Sequence, residues 1–184
     1  MFTQSVNEVA NLRIGDKALD FNLIGTDDKT HSLNEFANKY TVVIFSCNHC
    51  PYVRAWEDRM VRIQSDYASK GVQLIAINAN DASKYPEDSF QNMKARAREK
   101  KFNFPYLRDE DQKVATSYGA QRTPEVFLFD NKRTLQYHGA IDDNYDNPNA
   151  VKVQYLRNAL DAVLRGGKVA TAEIAPVGCT VKWK

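Results

Sequence analysis

The sequence has few of the features that mark a secreted, membrane-bound or nucleic-acid-binding protein. Its 184 residues include three cysteines, too few for the disulfide framework of a small secreted scaffold. No apolar run approaches the roughly 20 residues of a membrane-spanning helix, and the N-terminus lacks the basic start and apolar core of a signal peptide. The net charge of +2 gives no electrostatic reason to expect nucleic acid or an anionic membrane as partner. We therefore expect a cytoplasmic protein, with a mature periplasmic chain as the alternative.

Length and composition indicate one globular domain. Hydrophobic residues make up 43% and charged residues 26%, which is typical of a folded protein with a sizeable core. There is no internal repeat, no low-complexity tract and no linker that would divide the chain. We expect a single domain over residues 1–184, with a core from about residue 10 to residue 165 and a C-terminal tail over 166–184.

Three short apolar runs predict strands that are buried on both faces, at residues 41–45, 72–77 and 126–129. Between the first two, residues 52–67 have apolar side chains three or four positions apart, which predicts a helix with one buried face. That face carries Val53, Trp56, Met60 and Ile63. Strand, helix and strand in this order predict two parallel strands joined by a right-handed crossover.

The rest of the chain completes an α/β sandwich. Further helices are expected at residues 87–100, 111–118 and 149–165, and a strand at 134–138 would form a hairpin with 126–129. A second hairpin, from 20–23 and 31–33, is expected ahead of the first central strand. The order of elements predicts a central mixed β-sheet flanked by helices in three layers, with an N-terminal hairpin extension.

Cys47 and Cys50 stand where the first central strand passes into its helix. Unpaired N–H groups and the positive end of the helix dipole stabilise a thiolate there, and the thiolate is the nucleophile in thiol chemistry. The two intervening residues allow the sulfurs to form a disulfide. We expect the more exposed Cys47 to attack a substrate disulfide and Cys50 to resolve the mixed disulfide, with the charge of His49 favouring the Cys47 thiolate. The alternatives are two unreactive core thiols and an exposed His49 without effect on them.

These residues resemble a known family. The run from Cys47 to Cys50, the later Thr123-Pro124 and the order of elements resemble the thioredoxin superfamily. Within it, Cys50-Pro51 and the leader at residues 15–21 resemble the AhpC/TSA-related, peroxiredoxin-like group that carries a CxxC motif. The resemblance covers roughly residues 10–165 and implies a thioredoxin-like fold.

The resemblance also implies a role for the Thr-Pro pair. The Thr123–Pro124 bond would be cis and would pack against the two cysteines, and the backbone of Thr123 would be free to pair with an extended substrate strand. A trans proline that opens an edge strand is the alternative.

The sequence departs from both branches of the superfamily at named positions. If Cys50 takes the peroxidatic position of the peroxiredoxin pattern Pro-x-x-x-Thr/Ser-x-x-Cys, Cys47 replaces the hydroxyl residue and Val43 the proline. The groups that bind and polarise peroxide are then missing. Thr41 stands where thioredoxin has a buried carboxylate, so the proton acceptor for Cys50 must come from elsewhere or from water.

Two places offer a base for Cys50, and the C-terminal tail offers a third thiol. Glu125 follows the proline and is a candidate base, with an exposed charge at a strand edge as the alternative. Asp142 or Asp143, in the loop after the last strand, is expected to act through water or to be a solvated turn residue. Cys179 in the tail is a third thiol, which would shuttle electrons or resolve Cys50, or would be an inert half-buried cysteine.

The sequence thus predicts a thiol–disulfide oxidoreductase that uses Cys47 and Cys50 on protein or small-molecule disulfides and is served by an unidentified thiol reductant. One alternative is a thiol-dependent peroxidase with antioxidant activity. Another is a carrier of a soft metal ion, held by Cys47, Cys50 and either His49 or His138. No cofactor is expected for the oxidoreductase.

Overall fold

A mixed sheet of seven strands forms the middle of the fold in the computed structural model, which describes residues 11–37 and 39–184. Four α-helices lie within these residues: α1 (Pro51–Tyr67), α2 (Phe90–Glu99), α3 (Lys113–Tyr118) and α4 (Tyr155–Leu164). The strands are β1 (Asn22–Gly25), β2 (Thr30–Ser32), β3 (Tyr40–Phe45), β4 (Val72–Asn78), β5 (Tyr106–Arg108), β6 (Arg122–Thr123), β7 (Glu125–Phe129), β8 (Leu135–Gly139) and β9 (Cys179–Thr180). Short 3-10 turns occupy Leu33–Phe36, Ala68–Lys70, Pro86–Asp88 and Pro148–Ala150.

The strand order in the large sheet is β2-β1-β5-β4-β3-β7-β8. Strands β3, β4 and β5 are parallel to one another, and the other pairings are antiparallel. The predicted thioredoxin-like sandwich, a central mixed sheet flanked by helices, is confirmed. The N-terminal hairpin is also confirmed, although its strands lie at 22–25 and 30–32.

Alternate side chains of the central strand β3 pack into two separate hydrophobic cores, one on each face of the sheet. Val42 and Ile44 pack with the buried face of α1 and with α4 on one side of the sheet. Val43 and Phe45 pack on the other side, where Tyr118 of α3 belongs to the same cluster. The helix face predicted from the sequence is confirmed, since Val53, Trp56, Met60 and Ile63 are all buried.

The last helix starts six residues later than predicted. Pro148 opens a 3-10 turn, and residues 151–154 follow without helical structure before α4 begins at Tyr155. The loop at Asp143 holds this segment: its carboxylate accepts the amide of Lys152 at 2.9 Å, and its amide donates to the carbonyl of Val153 at 3.1 Å. Val153, expected on the helix face, is 37% exposed.

Two other predicted helices also start late: a serine side chain caps α2, and the backbone conformation of Gln112 prevents an earlier start of α3. The Ser89 hydroxyl accepts the amide of Asn92 at 3.3 Å, and α2 begins at Phe90 where the sequence predicted residue 87. Gln112 has a left-handed backbone (φ 61°), which is incompatible with a helix before Lys113.

Within the described ranges, no helix combines the length and the apolar character that crossing a membrane requires.

The chain after α4 packs back onto the sheet. The amide of His138 donates to the carbonyl of Ala172 at 2.9 Å, and the amide of Ile174 donates to the carbonyl of His138 at 3.0 Å. Further along, β9 and β6 form a separate two-stranded sheet.

Candidate active site

The cysteine pair lies between the end of β3 and the start of α1. The amide of Ser46 still donates to the carbonyl of Ile77 in β4 at 2.8 Å, which fixes the point where the loop leaves the sheet. Cys50 is the N-cap of α1 and Pro51 its first residue, a position where the missing proline N–H costs nothing. Both cysteines are free thiols. Both are almost fully buried, with exposed fractions of 2% for Cys47 and 0% for Cys50, so the greater exposure of Cys47 expected from the sequence is slight.

The Thr123–Pro124 bond is cis, as the resemblance implied. It brings Thr123 against both sulfurs. The Sγ of Cys47 lies 3.4 Å from the Thr123 hydroxyl, and the Sγ of Cys50 lies 3.3 Å from the Thr123 carbonyl oxygen. The two cysteines and the Thr-Pro pair, which are more than 70 residues apart in the chain, therefore form one site.

The backbone of Thr123 is not free for a substrate strand, in contrast to the expectation from the sequence. Thr123 of β6 is opposite Cys179 of β9, and Arg122 is opposite Thr180. The chain's own tail takes this edge. A polypeptide substrate would have to displace β9 before pairing with Thr123.

The surroundings of the two thiols shift their pKa values in opposite directions. The hydrogen bond to Cys50, burial and the charge of Asp88 raise the pKa of Cys47 well above its usual range. The hydrogen bond from Cys47 is the largest effect that lowers the pKa of Cys50, which falls to about 4; Cys179 and the amide of Val53 lower it further. These two directions are opposite to those expected from the sequence, because Cys47 faces a carboxylate while Cys50 lies at the helix start beside the Cys47 thiol. Which of the two thiols attacks a substrate stays a prediction.

The carboxylate beside Cys47 belongs to Asp88, which was not identified from the sequence as part of the site. Its side chain is fully buried at the end of the 3-10 turn Pro86–Asp88, and its oxygen lies within 4.8 Å of the Cys47 sulfur. Four donors hold it: the amide of Asn48 at 2.6 Å, Nδ1 of His49 at 2.5 Å, Nδ2 of Asn80 at 2.8 Å and Nδ2 of Asn78 at 3.3 Å.

Local patterns gave an incomplete signal for Asp88. The asparagines at 78 and 80 end β4 at the same sheet edge as the cysteines, where ligands of parallel sheets usually bind. Asp88 itself lay inside the helix predicted at residues 87–100. A turn that points a carboxylate inward produces no periodic pattern of apolar residues in the sequence. The sequence predicted a base for Cys50, and the structure places a buried carboxylate beside Cys47 instead.

His49 faces Asp88, as described above, and its ring stacks on Tyr85 with centroids 5.4 Å apart. Its exposed fraction is 23%. The closest charged partner of His49 is therefore a buried carboxylate that the sequence did not indicate. An effect of His49 on the thiolate stays a prediction.

The other candidate carboxylates are engaged elsewhere. Glu125 is buried, not at an exposed strand edge, and one of its oxygens accepts the amides of Gln121 and Arg122 at 2.7 Å each. Its second oxygen lies 2.7 Å from Nε2 of His138. Glu125 thus fixes the loop that carries β6.

Asp142 is buried and forms an ion pair with Arg59 at 2.7 Å; it also accepts the indole N–H of Trp56 at 2.9 Å. Asp143 accepts the amide of Lys152. These contacts explain both residues as anchors of the loop after β8, in place of the water-mediated role expected from the sequence.

Cys47, His49 and Asp88 also form a group that could hold a metal ion, with donor atoms within 4.8 Å of one another. Thiolate and imidazole suit zinc or copper. His138, the other histidine considered for a soft ion, is paired with Glu125. The metal-carrier alternative stays a prediction.

Comparison with known proteins places the chain among redox proteins. The sequence matches the AhpC/TSA family over residues 14–138. The solved structure of a hypothetical protein from Sinorhizobium meliloti 1021 is 38% identical and covers 95% of this chain and 96% of that one, with a TM-score of 0.89. An uncharacterized conserved protein from Geobacillus kaustophilus is 40% identical, with coverages of 97% and 94% and a TM-score of 0.89.

A curated relative has a named activity. The thiol-disulfide oxidoreductase ResA of Halalkalibacterium halodurans is 27% identical over 129 residues, which are 70% of this chain and 66% of that protein. The similarity thus spans about two thirds of the length of that relative. It supports oxidoreductase activity in general terms.

Proposed function

Because the chain belongs to the AhpC/TSA family, we propose that it is a thiol–disulfide oxidoreductase in which Cys50 is the attacking thiolate and Cys47 the resolving thiol. The observation that carries this proposal is geometric: the two cysteines share one buried site at the start of α1, with Cys50 as its N-cap and Thr123 against both sulfurs. The opposite directions of the two pKa shifts support Cys50 as the thiolate. The substrates are disulfides of proteins or small molecules.

The reaction follows from these positions. The Cys50 thiolate attacks one sulfur of the substrate disulfide, the substrate S–S bond breaks, and the released sulfur leaves as a thiolate. Cys47 then gives its proton to Asp88 and attacks the Cys50 sulfur. The second substrate sulfur leaves, and a Cys47–Cys50 disulfide forms. The substrate has gained two electrons and the cysteine pair has lost two.

The test is the rate of exchange between the reduced protein and a small chromogenic disulfide, measured against pH. Since the pKa of Cys50 is lowered to about 4, its thiolate persists above that pH and is lost as the pH falls through it. The wild-type rate is expected to be flat from about pH 5 to about pH 8, whereas an ordinary thiol with a pKa of about 8.5 speeds up about tenfold per pH unit over that range.

Two variants assign the roles. Cys50→Ser is expected to abolish the pH-independent phase, and Cys47→Ser to keep the first attack but stop at the mixed disulfide, which mass spectrometry detects. Because the hydrogen bond from Cys47 is the main cause of the low pKa, the flat region of Cys47→Ser should begin at a higher pH. A fast phase retained by Cys50→Ser and lost by Cys47→Ser would show that the roles are reversed.

A thiol peroxidase is the second candidate, and the position of the thiolate favours it. Cys50 directly precedes Pro51, where the peroxiredoxin pattern has its peroxidatic cysteine. The Cys50 thiolate would attack one peroxide oxygen and break the O–O bond, and the other oxygen would leave as hydroxide or alkoxide and take up a proton. Cys47 would then condense with the sulfenic acid on Cys50 to release water and form the same disulfide.

Parallel assays of insulin-disulfide reduction and hydrogen-peroxide consumption separate these functions. If the protein is an oxidoreductase, insulin reduction is lost in Cys50→Ser, and hydrogen peroxide is consumed no faster than by a free small thiol. Rapid, Cys50-dependent peroxide consumption without insulin reduction would favour the peroxidase.

A further inference from the structure

The C-terminal segment lies across the cysteine end of the sheet. Strand β9 pairs with β6, so that Cys179 is opposite Thr123. Beyond the strand, the amide of Val181 donates to the carbonyl of Gln121 at 2.9 Å. The backbone edge beside the proline is therefore filled by the chain itself.

Gly178 permits this close approach of two backbones. A Cβ atom at position 178 would lie 2.1 Å from the carbonyl oxygen of Thr123, a distance that no real Cβ contact shows. The guanidinium of Arg122 donates to the carbonyl of Gly178 at 3.3 Å and helps to keep the segment in place. The absence of a side chain at 178 sets the position of the next residue, Cys179.

Cys179 thereby becomes a neighbour of the reactive pair. It packs against the cluster formed by Cys47, Cys50 and Val53, and both its side chain and its backbone stabilise the Cys50 thiolate. Cys47 and Cys50 are almost inaccessible, whereas Cys179 is only half-buried. The Cys50 thiol thus contacts the buried thiol of Cys47 and the more exposed thiol of Cys179.

From this arrangement we propose that Cys179 is a third redox thiol, through which the oxidised Cys47–Cys50 pair is reached by a thiol reductant. The inference rests on the proposed function, because it starts from the disulfide which that reaction leaves behind. It assigns the tail a chemical role and gives the reductant a point of attack outside the buried pair.

The exchange balances without an added oxidant. Cys179 attacks the sulfur of Cys50, the Cys47–Cys50 bond breaks, and Cys47 takes up the proton that Cys179 loses. A reductant thiolate then attacks the sulfur of Cys179, and Cys50 leaves as its stabilised thiolate. A second reductant thiol releases Cys179 and forms the reductant disulfide, so two electrons have entered the protein.

Burial and the negative charge of Cys50 raise the pKa of Cys179 to about 11 in the reduced protein. That charge is absent once Cys50 is in a disulfide, while Lys182 and Arg122 still favour the Cys179 thiolate. Cys179 is accordingly a better nucleophile toward the oxidised pair than it is in the reduced protein.

The experiment maps disulfides after oxidation of the full chain with diamide and digestion with trypsin. Cleavage after lysine and arginine places Cys47 and Cys50 together in peptide 40–54 and Cys179 in peptide 169–182. In Cys47→Ser, and in Cys47→Ala as a second variant, we expect the two peptides to be joined by a Cys50–Cys179 disulfide. In Cys179→Ser the disulfide is confined to peptide 40–54.

A glycine pair provides the matched control. Gly178→Ala should push β9 away from Thr123 and lower the yield of the joined peptides by about tenfold or more, with all cysteines intact. Gly167→Ala lies in the same tail, where the new Cβ meets its nearest neighbour, the Ala162 carbonyl, at an ordinary 3.4 Å. This control should leave the yield unchanged.

The outcomes separate the two proposals. Wild-type exchange activity together with no joined peptide in either Cys47 variant overturns the role of Cys179 alone. Exchange activity that survives Cys50→Ser overturns the proposed function itself. Turnover with glutathione that is slowed by Cys179→Ser at least about tenfold more than the first exchange with the chromogenic disulfide is slowed supports the third thiol.

Discussion

At the scale of single residues, two negative charges are held at one site by different means. Asp88 is buried among four hydrogen-bond donors, and Cys50 lies at the start of a helix against the Cys47 thiol. Like charges close together in a buried site oppose each other's ionisation. Cys47, which lies near Asp88 and also contacts Cys50, is therefore the thiol that stays protonated.

Replacement of Asp88 by Asn tests this division of charge. Removal of the carboxylate charge takes away a cause of the raised pKa of Cys47, so its titration, followed by the ultraviolet absorbance of the thiolate, should shift to lower pH. The resolving step should slow, because the proton acceptor is gone, and mixed disulfide should accumulate. Unsatisfied donors around residue 88 should cost about 1–3 kcal/mol of unfolding free energy.

Asp81→Asn is the matched control. Asp81 is also buried on the loop after β4, yet its side chain binds Ser83 and is not a cause of the Cys47 shift. If Asp88→Asn lost stability but left the thiol titration unchanged, the role of Asp88 would be structural only.

At the scale of elements, the sequence revealed what depends on local periodicity. The apolar runs predicted β3, β4 and β7, and the helical spacing of Val53 to Ile63 predicted the buried face of α1. The start of α4 was wrong by six residues, because Asp143 holds residues 152 and 153 outside the helix through bonds that are distant in sequence.

The active site was likewise predictable only where its residues form local patterns in the sequence. The cysteine pair and the Thr-Pro pair carry short motifs and could be predicted. Asp88 reaches Cys47 only through the packing of a turn against the loop at 46–50, and the pairing of Cys179 with Thr123 depends on where the tail returns. Neither contact leaves a pattern in the sequence.

Glu125 is the residue on which the short element β6 depends. Glu125→Gln keeps the shape of the side chain but replaces one acceptor oxygen by an amide group, which leaves either the amides of Gln121 and Arg122 or the ring of His138 without its present acceptor. We expect urea denaturation to show a loss of about 1–3 kcal/mol, with the pH profile of thiol exchange unchanged.

Glu173→Gln is the control for Glu125→Gln, since Glu173 lies 3.7 Å from the other nitrogen of His138 but is 64% exposed. Its effect on stability should stay within about 0.5 kcal/mol. If Glu125→Gln instead altered the pH profile and spared the stability, Glu125 would be the base that the sequence suggested.

At the scale of the whole molecule, the last residues join parts that are far apart in the chain. The carbonyl of Lys182 accepts the amide of Asp81 at 2.7 Å, and the amide of Lys182 donates to Oδ1 of Asn80 at 2.9 Å. The tail thus binds the loop after β4 as well as β6, and these two regions flank the cysteine pair. We therefore expect access to the buried sulfurs to depend on the attachment of the tail.

Gln112 is the side chain through which this coupling is best tested. Its Nε2 donates to the carbonyls of Ala79 and Lys182 at 2.6 and 2.9 Å, and its Oε1 accepts the amide of Lys184 at 3.0 Å. Gln112→Ala removes all three bonds but leaves the cysteines and the sheet untouched. If the two bonds to the tail, at Lys182 and Lys184, together contribute about 2 kcal/mol to holding it closed, the reduced pair should be alkylated about thirtyfold faster, because every 1.4 kcal/mol is tenfold.

Hydrogen exchange locates the change. The amides of Asp81 and Val181, which bond the carbonyls of Lys182 and Gln121, should lose protection in Gln112→Ala, while the amides of β3 and β4 keep theirs. Gln91→Ala, at an exposed position on α2, should alter neither alkylation nor exchange. Equal loss of protection in the central strands would mean that Gln112 stabilises the whole fold, and unchanged alkylation would mean that the tail does not control access to the cysteines.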